Sequence, residues 1–539
     1  MASQLHRGVQ QILSIPGHAL SMDVATEHPS DGRPVLLIII DGLSARVAGP
    51  AIDRGELPFL QRIDRKGGRR QCISIFPSIT PAATASLATG VAPAGHGIQG
   101  AFWYDRGRDA FLYFGDSPRV VLREGVNAYF DDYLRTLNDE LLVADTLFER
   151  AQAAGLTAAN LNYMWRRGMT EHPVDQPLLF TLIPGVALAE SVKGPDWLFL
   201  GDFVKPDLPG IERLDQPGGA SHRFGFNDAA TLAQLGLLQQ SGVRPDLTVA
   251  YFPDNDFLSH SKGPEGAFDD LRALDRQLFD FFELRGGVDA LLETTEVIVV
   301  GDHGHDRLLD DPHSAFVRLD DLLADWRQAL PGGETGDDDQ LAICTNMRAA
   351  QIVPLGPVDL EKIESRLLSH DGVDLVVRAA EGHGLTVATR SRGRLTFSRA
   401  SDGDAAEGRV VRDANGVRWS VDGDLSALNA TIDSENVLRF GDYPDALGRL
   451  ADGSPSLGDA MWLSAAPGYE FTTSEIPTHS AGSHGSLHRS DSETLLVATG
   501  GLDGFDDDSP ASITDIASMC LKMMGVSPSE PVAERRTVG

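Results

Sequence analysis

The chain has little cysteine and no long apolar run. Its three cysteines, Cys72, Cys344 and Cys520, are isolated, so an odd count at these spacings fits neither a disulfide framework nor a cysteine metal site. We therefore expect buried thiols. No segment approaches the roughly 20 apolar residues of a membrane span, and no basic N-terminal region precedes a long apolar core. We therefore expect a cytoplasmic protein without a membrane partner.

Basic side chains are also scarce. Lys and Arg total 46 against 78 Asp and Glu, which gives a formal net charge of −32 and a pI near 4.7. Proteins that bind nucleic acid or anionic membrane surfaces neutralise phosphates with basic patches. The charge balance argues against both kinds of partner and favours a small-molecule substrate. It gives no indication of the oligomeric state.

Two short Asp/His clusters, each next to glycine, are the most informative motifs present. The first lies in Asp256–Pro264 and the second is Gly301–His305. Taken alone, the first could be a solvated helix face and the second a turn. Imidazole and carboxylate ligands suit Zn²⁺ and related divalent ions, and two such ions about 4 Å apart can hold an in-line phosphoryl displacement. Together the clusters predict two metal sites.

Several continuous apolar runs predict buried parallel strands. Val35–Gly42 is such a run, and it closes with Asp41 and a glycine. Similar runs occur at Leu247–Pro253, Glu296–Gly301 and Glu493–Thr499, and the first two of these lead directly into the Asp/His clusters. Parallel strands are covered on both faces, and open α/β sheets place their ligands at the carboxyl edge. The sequence therefore predicts an α/β fold with ionisable groups at one sheet edge.

A candidate nucleophile follows the apolar strand predicted at Cys72–Phe76. An Ala/Ser/Leu-rich helix begins there and ends at Gly90, and Pro81 suits the first helical position, which makes Thr80 the N-cap. The Thr80 hydroxyl could simply cap the helix. Alternatively, it stands where a helix N-terminus favours a phosphate, and a metal could activate it.

A last candidate ligand, His484, lies between small residues just before the final apolar run. Small neighbours would let a metal approach its ring, although a histidine in a surface turn would look the same. This motif is therefore informative only in combination with the others.

As a set, these motifs resemble the alkaline phosphatase superfamily, and within it the type I phosphodiesterase/nucleotide pyrophosphatase branch. The motifs that carry the resemblance are Ile40-Asp41-Gly42, Pro77-Ser78-Ile79-Thr80, Thr89-Gly90 with His96-Gly97-Ile98, Asp256–Pro264, Gly301–Gly304 and Ser483-His484-Gly485. They occur in the order typical of the family. The resemblance implies a three-layer α/β sandwich with a mostly parallel central sheet and an inserted α+β cap.

The resemblance also implies the site. One zinc ion would be held by Asp256, His260 and His484. The other would be held by Asp41, Thr80, Asp302 and His303. Thr80 would attack phosphorus and form a covalent phospho-threonine that water then hydrolyses. The implied activity is that of a phosphodiesterase or pyrophosphatase with two divalent metal ions, acting on small phosphate esters.

One departure from the family pattern affects the substrate. Relatives follow the threonine with Phe-Pro-Asn, whereas Pro81-Ala82-Ala83 stands here, so the usual amide donor and aromatic wall of a nucleotide pocket are missing from these positions. We name Thr84, Lys262 and His305 as candidate substrate-binding residues, although Lys262 could be a solvated charge and His305 could support a ligand. Asp254 is assigned either a structural role or a role in supporting a metal ligand.

Two alternatives stay open. The spacing from Thr80 to Thr89-Gly90 also fits phosphonoacetate hydrolases, so a phosphomonoesterase or phosphonate hydrolase of the same superfamily is one of them. The other is a catalytically inactive metal-binding protein whose cap binds a partner.

The domain organisation is predicted from the texture of the chain. Residues 30–317 and 461–530 are assigned to the catalytic core, and residues 318–460 to the cap. Within the cap, Val358–His370 has the pattern of a helix. Leu385–Phe397 and Val410–Val421 have the pattern of hairpin strands with turn residues between them.

Overall fold

The structure is a computed structural model of the chain. It describes residues 32–115, 117–177, 188–211, 216–380, 384–400, 408–453, 458–505 and 510–527. The predicted catalytic core also includes residues outside these ranges, at 30–31, 116, 178–187, 212–215, 506–509 and 528–530, and the predicted cap includes 381–383, 401–407 and 454–457. Those residues lie outside the described part of the chain.

An eight-stranded sheet forms the centre of the fold. Its strands, in spatial order, are Ala511–Ser512, Arg69–Ile73, Glu493–Ala498, Glu296–Val300, Val35–Ile40, Leu247–Phe252, Ala158–Leu161 and Trp197–Phe199. Glu493–Ala498 runs antiparallel to both of its neighbours, and the other pairings are parallel. The predicted mostly parallel sheet is confirmed.

Helices cover both faces of this sheet. Alternate side chains of a strand point to opposite faces, and those of Val35–Ile40 divide between two separate hydrophobic clusters. The first cluster includes the helices Thr80–Thr89, Leu147–Ala153 and Asp515–Met523. The second includes the helices Ala45–Asp53, Pro58–Lys66, Asp228–Ser241, Phe268–Glu283 and Val288–Thr294. The fold is therefore the three-layer α/β sandwich that the sequence predicts.

A second, ten-stranded sheet lies in the later part of the chain. Its strands, in spatial order, are Leu341–Asn346, Ala349–Pro354, Met461–Ala465, Val373–Ala379, Leu385–Ala388, Arg394–Arg399, Arg418–Gly423, Arg409–Asp413, Val437–Phe440 and Ala430–Ile432. All pairings are antiparallel except that of Arg409–Asp413 with Val437–Phe440. The two predicted hairpins lie within it.

The domain boundaries stay a prediction, but one strand bears on them. Met461–Ala465 pairs with Ala349–Pro354 and Val373–Ala379 in the second sheet, although residues from 461 onward were assigned to the core. The apolar pattern of a fully buried strand is the same in either sheet, so the sequence does not reveal which sheet the strand joins.

The remaining elements connect these layers. Further α-helices are Pro93–His96, Pro118–Glu124, Val126–Asp131, Asp254–Lys262, Pro312–Ala315, Leu319–Leu322, Leu360–Leu368, Ala446–Gly453 and Arg489–Ser492. A π-helix spans Asp132–Leu141, and 3₁₀-helices span Ala220–Gly225, Leu425–Leu428 and Leu502–Gly504. Two-stranded pairings join Phe102–Asp105 with Ala110–Tyr113, Thr170–Pro173 with Ser191–Gly194, Asp306–Arg307 with Gly482–Ser483, and Phe316–Arg318 with Glu470–Thr472.

Smaller predictions can be checked against these bounds. The helix predicted at Val358–His370 is Leu360–Leu368, where the Asp359 side chain accepts from the backbone N–H groups of residues 361 and 362. The strand predicted at Cys72–Phe76 lies earlier, at Arg69–Ile73. All three cysteines are buried and free, as expected. Within the described ranges, no helix combines the length and apolar character needed to cross a membrane.

Candidate active site

The candidate site begins where the Val35–Ile40 strand ends. Asp41 follows this strand, and Gly42 turns the chain with a φ of +66°. A Cβ atom at Gly42 would stand 2.9 Å from Cδ2 of His305, so only glycine fits both the turn and the close approach. The Gly42 N–H donates to Oδ1 of Asp302 at 3.1 Å. The ends of two neighbouring strands are thereby tied together.

Asp41, Asp302 and His303 converge at this edge. Nε2 of His303 lies 3.4 Å from Oδ1 of Asp41 and 3.3 Å from Oδ2 of Asp302. The other carboxylate oxygens have protein donors: the Tyr251 hydroxyl donates to Asp41 Oδ2, and the His303 N–H donates to Asp302 Oδ1 at 2.9 Å. One ligand atom from each of the three residues lies within 4.8 Å of the others, an arrangement that could hold a metal ion.

Thr80 lies beside this group. Its Oγ1 is 3.1 Å from Nε2 of His303. The helix begins at Thr80 itself, Ile79 occupies the N-cap position, and no side chain caps the helix. The sequence-based assignment of Thr80 as N-cap is therefore wrong by one residue, and its hydroxyl is not used as a cap. The hydroxyl instead stands at a helix N-terminus, where the dipole favours negative charge.

A second group forms around Asp256, on the helix Asp254–Lys262. Nε2 of His260, one turn further along, is 3.4 Å from Asp256 Oδ2, and Nε2 of His484 is 3.6 Å from Oδ1. His305 is nearer still, with Nε2 at 2.6 Å from Oδ1. Ligand atoms of Asp256, His303, His305 and His484 lie within 4.8 Å of one another. The structure thus brings His305, predicted to bind substrate, into the Asp/His cluster.

Backbone carbonyl oxygens fix the tautomers of three histidines. Nδ1 of His260 lies 2.9 Å from the Gly482 oxygen, and Nδ1 of His484 lies 2.8 Å from the Ser78 oxygen. Nδ1 of His303 is likewise 2.9 Å from the oxygen of its neighbour, residue 304. A carbonyl oxygen only accepts, so each Nδ1 carries a proton, and in the neutral ring each Nε2 keeps a lone pair. This is the arrangement in which protein histidines bind metals.

Among the predicted metal ligands, four buried atoms lack hydrogen-bond partners: Oδ1 of Asp41, Oδ2 of Asp302, and Nε2 of both His260 and His484; Nδ1 of His305 is a fifth such atom in the cluster. Buried polar groups are nearly always paired, because leaving one unpaired costs free energy. All four atoms belong to predicted metal ligands, and all are electron-pair donors. The donor set therefore fits divalent cations of the kind that imidazole and carboxylate bind.

The electrostatics of the cluster also favour a cation. Burial, reinforced by repulsion from Asp302 and Asp256, raises the pKa of Asp41 well above its usual range. Burial likewise raises the pKa of Asp302. Burial lowers the pKa of His305 to about 3, so that ring is neutral at physiological pH. Closely packed carboxylates of this kind repel one another unless positive charge is placed between them.

Some residues at the site were not found from sequence. The Tyr251 hydroxyl bonds Asp41, and the Asn255 side-chain amide donates to the carbonyl oxygens of Asp41 and Gly42 at 2.8 and 3.0 Å. The ring of His479 stacks on that of His260, with centroids 3.9 Å apart. Asn255 stands between two aspartates and could have been noticed. The contact of Tyr251 with Asp41 could not be predicted, because in the sequence Tyr251 is one more residue of an apolar strand.

The other candidate substrate residues have partners elsewhere. Thr84 is buried, donates its hydroxyl to the Thr80 carbonyl and accepts from Trp165 Nε1 at 2.9 Å. The Lys262 ammonium is 2.5 Å from Asp270. These contacts count against Thr84 and Lys262 as substrate donors, and their role stays a prediction.

Asp254 has the kind of contacts expected for a structural role. Its Oδ2 accepts from the Asp228 N–H at 3.2 Å, and its Oδ1 pairs with Arg223.

The fold and these groups define a class of protein. A mostly parallel sheet presents two overlapping Asp/His groups at its carboxyl edge, beside a threonine hydroxyl at a helix N-terminus. That combination is typical of metal-dependent hydrolases that attack phosphorus.

Comparison with known proteins supplies the family. The type I phosphodiesterase/nucleotide pyrophosphatase family matches residues 35–487, and the chain belongs to it. It is a metal-dependent phosphoric ester hydrolase of the alkaline phosphatase superfamily. None of the curated proteins matches the chain.

Solved structures show the same fold. Phosphonoacetate hydrolase from Sinorhizobium meliloti 1021 in complex with phosphonoformate aligns with a TM-score of 0.55 at 18% identity, covering 92% of this chain and 97% of that one. The same enzyme in complex with phosphonoacetate gives a TM-score of 0.53 at 17% identity, with the same coverage. At such identities the likeness concerns the fold alone.

Proposed function

We propose that this protein hydrolyses small phosphate diesters or pyrophosphates with Thr80 as the nucleophile. The observation that carries the proposal is the position of Thr80 Oγ1, 3.1 Å from Nε2 of His303, beside the unpaired oxygens of Asp41 and Asp302. A hydroxyl at a helix N-terminus, next to a cluster of buried ligand atoms, is suited to attack phosphorus.

The ligand sets are proposed from the motifs and from the unpaired atoms. Asp256, His260 and His484 would hold one ion, and Asp41, Thr80, Asp302 and His303 the other. Bound zinc or a similar ion supplies Lewis acidity, which lowers the pKa of a hydroxyl and neutralises charge on phosphoryl oxygens. The position of His305 makes it a further candidate at the first of these sites.

The residues of the chain account for the two halves of the reaction. The Thr80 hydroxyl loses its proton and its oxygen bonds to phosphorus, while the bond to the leaving oxygen breaks and that oxygen takes up a proton. The resulting phospho-threonine is then cleaved by water, and Thr80 regains its proton. Throughout, the helix N-terminus at Thr80 favours the negative charge of the phosphoryl group.

A phosphonate hydrolase of the same superfamily is the second candidate, and a phosphomonoesterase would use the same attack. The small side chains of Ala82 and Ala83 favour the phosphonate hypothesis, because they follow Thr80 where nucleotide-cleaving relatives carry larger residues. A structural neighbour with the same fold is a phosphonoacetate hydrolase, which makes phosphonates a substrate class to test. In this reaction the Thr80 oxygen bonds to phosphorus while the bond from phosphorus to carbon, rather than to oxygen, breaks, and the leaving carbon takes up a proton.

Replacement of the nucleophile tests the proposal. Thr80→Ala should lower turnover by about 10⁴-fold or more, because no other group can form the covalent intermediate. Turnover of bis-p-nitrophenyl phosphate, p-nitrophenyl phosphate and phosphonoacetate by metal-loaded protein would measure the loss and rank the candidate activities. Thr80→Ser should keep part of the rate.

The matched control is Thr89→Ser, because Thr89 lies in the same helix and donates its hydroxyl to the Ala85 carbonyl at 2.7 Å. This variant should behave like the wild type. Acid quenching during turnover should trap a phosphoryl group on Thr80, detectable by peptide mass spectrometry. An active Thr80→Ala protein would contradict the proposal, and a folded, metal-loaded wild type that cleaves no substrate would favour the inactive alternative.

A further inference from the structure

A strained segment places an arginine next to the candidate site. Arg223 and Phe224, in the 3₁₀-helix Ala220–Gly225, have φ values of +50° and +51°. L-residues other than Asn and Asp rarely adopt this conformation, and two in succession are rarer still. Strained backbone of this kind is concentrated at functional sites, where the position of a side chain depends on it.

The guanidinium of Arg223 is held from two directions. One of its nitrogens pairs with Oδ1 of Asp254, and its Cζ lies 4.0 Å from the centroid of the Phe257 ring. Asp254 is itself anchored, since its N–H donates to Asp228 Oδ1 at 3.0 Å. A guanidinium stacked on a ring and paired at one end keeps a fixed orientation.

One donor of this guanidinium has no partner. Nη1 of Arg223 is buried and makes no hydrogen bond. Arginine cannot lose its charge in a protein, so the unpaired donor is costly unless an acceptor reaches it. The Asp254 carboxylate already takes the other end of the fork. The free end is therefore available to a bound molecule.

The guanidinium lies beside the helix that carries two of the candidate metal ligands. Its two contacts, Asp254 and Phe257, flank Asp256 on the helix Asp254–Lys262. Phe257, next to Asp256 in the chain, keeps 55% of its surface exposed although it is a large apolar residue. The stacked Arg223–Phe257 pair thus forms an open wall at the rim of the candidate site.

We infer that Arg223 is a specificity-determining residue that binds a second anionic group of the substrate, outside the phosphoryl group attacked by Thr80. The group is a carboxylate or a phosphate, because both offer oxygens to a guanidinium. The inference rests on the proposed function, since it assumes that phosphorus is attacked at Thr80. In a chain with a net charge of −32, a fixed cation at the rim would select for substrates with this second charge.

Matched pairs of substrates test the inference in the wild type. One pair is the diesters methyl 4-carboxyphenyl phosphate and methyl 4-carbamoylphenyl phosphate, which differ in a single charge on the leaving group. A second pair, the diesters methyl 4-(phosphonooxy)phenyl phosphate and methyl 4-hydroxyphenyl phosphate, tests phosphate as the second anion, with release of methyl phosphate as the readout. The charged member of at least one pair should have a kcat/KM higher by about 10- to 100-fold, the range of a charge-assisted hydrogen bond. The pair that shows the preference identifies the anion.

Variants assign the preference to Arg223. Arg223→Gln should abolish it by slowing the charged member, and Arg223→Lys should retain part of it. Arg272→Gln is the matched control, because Arg272 also pairs with an aspartate, Asp269, and lies over an aromatic ring, that of Phe268, on an outer helix. This control should keep the wild-type preference. Phe257→Ala should weaken the preference, because it removes the ring on which the guanidinium is stacked. This variant tests the inference even if Arg223→Gln does not fold.

The outcomes separate this inference from the proposed function. Equal kcat/KM values within both pairs for the wild type would overturn the inference and leave the proposed function intact. So would an Arg223→Gln protein that slows both members of a pair equally. A metal-loaded wild type that cleaves none of the four compounds would instead contradict the proposed function. Metal content and thermal unfolding, measured for each variant, show whether a loss of preference arises from damage to the fold.

Discussion

Buried carboxylates differ in their protein partners between the central sheet and the region of the second sheet. At the carboxyl edge of the central sheet, Asp41 and Asp302 each keep one buried oxygen without a partner. Beside the second sheet, on the helix Leu360–Leu368, the buried Glu364 has an arginine from the sheet at each oxygen: Arg394 at Oε1, and Arg378 with Nε 2.9 Å from Oε2. Carboxylates are thus left unpaired in one region and neutralised by the protein itself in the other.

Asp374, in the second sheet, likewise has a protein partner at each of its carboxylate oxygens. Its Oδ1 is 2.7 Å from an Arg392 nitrogen, and its Oδ2 accepts from the Tyr443 hydroxyl at 2.6 Å. An ion pair or hydrogen bond completed within the chain supports the fold and leaves nothing for a ligand. Unpaired ligand atoms at a sheet edge cost stability unless a ligand completes them. The comparison teaches that a cluster of buried ligand atoms without protein partners, rather than burial or charge alone, distinguishes the candidate site.

The largest expected effect comes from breaking the unpaired cluster. Asp302→Asn removes the negative charge of the unpaired oxygen but keeps the side-chain shape. We expect metal content to fall and turnover to drop on the order of 1,000-fold, because several kcal/mol of transition-state stabilisation depend on a bound ion. Elemental analysis after desalting, together with assays, would measure both. His260→Ala should behave similarly, and full metal occupancy in either variant would contradict the assigned ligand.

Asp275 is a third kind of buried carboxylate, with backbone N–H groups as its partners, and its effect on stability should depend on pH. Asp275 accepts from the N–H groups of Phe59 and Leu60, both at 3.0 Å, and burial raises its pKa to about 7. Its folded-state pKa lies above the unfolded value, so its contribution to stability is complete below about pH 4 and is lost as pH rises through 7.

Asp275→Asn should therefore gain stability relative to the wild type between pH 5 and pH 8, by about 2–3 kcal/mol. Urea denaturation of both proteins at each pH would measure the difference. Because only the difference between the proteins is used, titration of the shared site histidines cancels. A constant difference across this range would show that Asp275 is ionised in the folded protein throughout.

The smallest effect is expected at Glu364, on the helix beside the second sheet. Glu364→Gln leaves two arginines without their shared carboxylate, but both arginines are partly exposed, which weakens each pair. We expect a loss of about 1–2 kcal/mol in the free energy of unfolding, with metal content and turnover unchanged. Denaturation and elemental analysis would check this. A variant that lost metal would show that the two regions are coupled.

The sequence predicted the fold class and located most of the polar residues at the site. Asp41 and Asp302 end apolar runs, and parallel strands bring such ends to one edge, so their proximity was predictable. The start of the helix at Thr80 was misplaced by one residue, because proline at the second helical position is as compatible with the sequence as proline at the first. His305 was predicted to face substrate, yet it lies against Asp256. Its position depends on Gly42, whose missing side chain makes room for the ring.

By itself, the sequence determined which chemical groups stand at the strand ends and in what order, because strand patterns and turn residues are local properties. Only the tertiary structure decided which groups meet. The carbonyl that orients His484 belongs to Ser78, 406 residues away, and the hydroxyl on Asp41 comes from Tyr251 on the neighbouring strand. Such pairings depend on the sheet order and on side-chain direction. Both are fixed by packing across the whole fold, which no local pattern records.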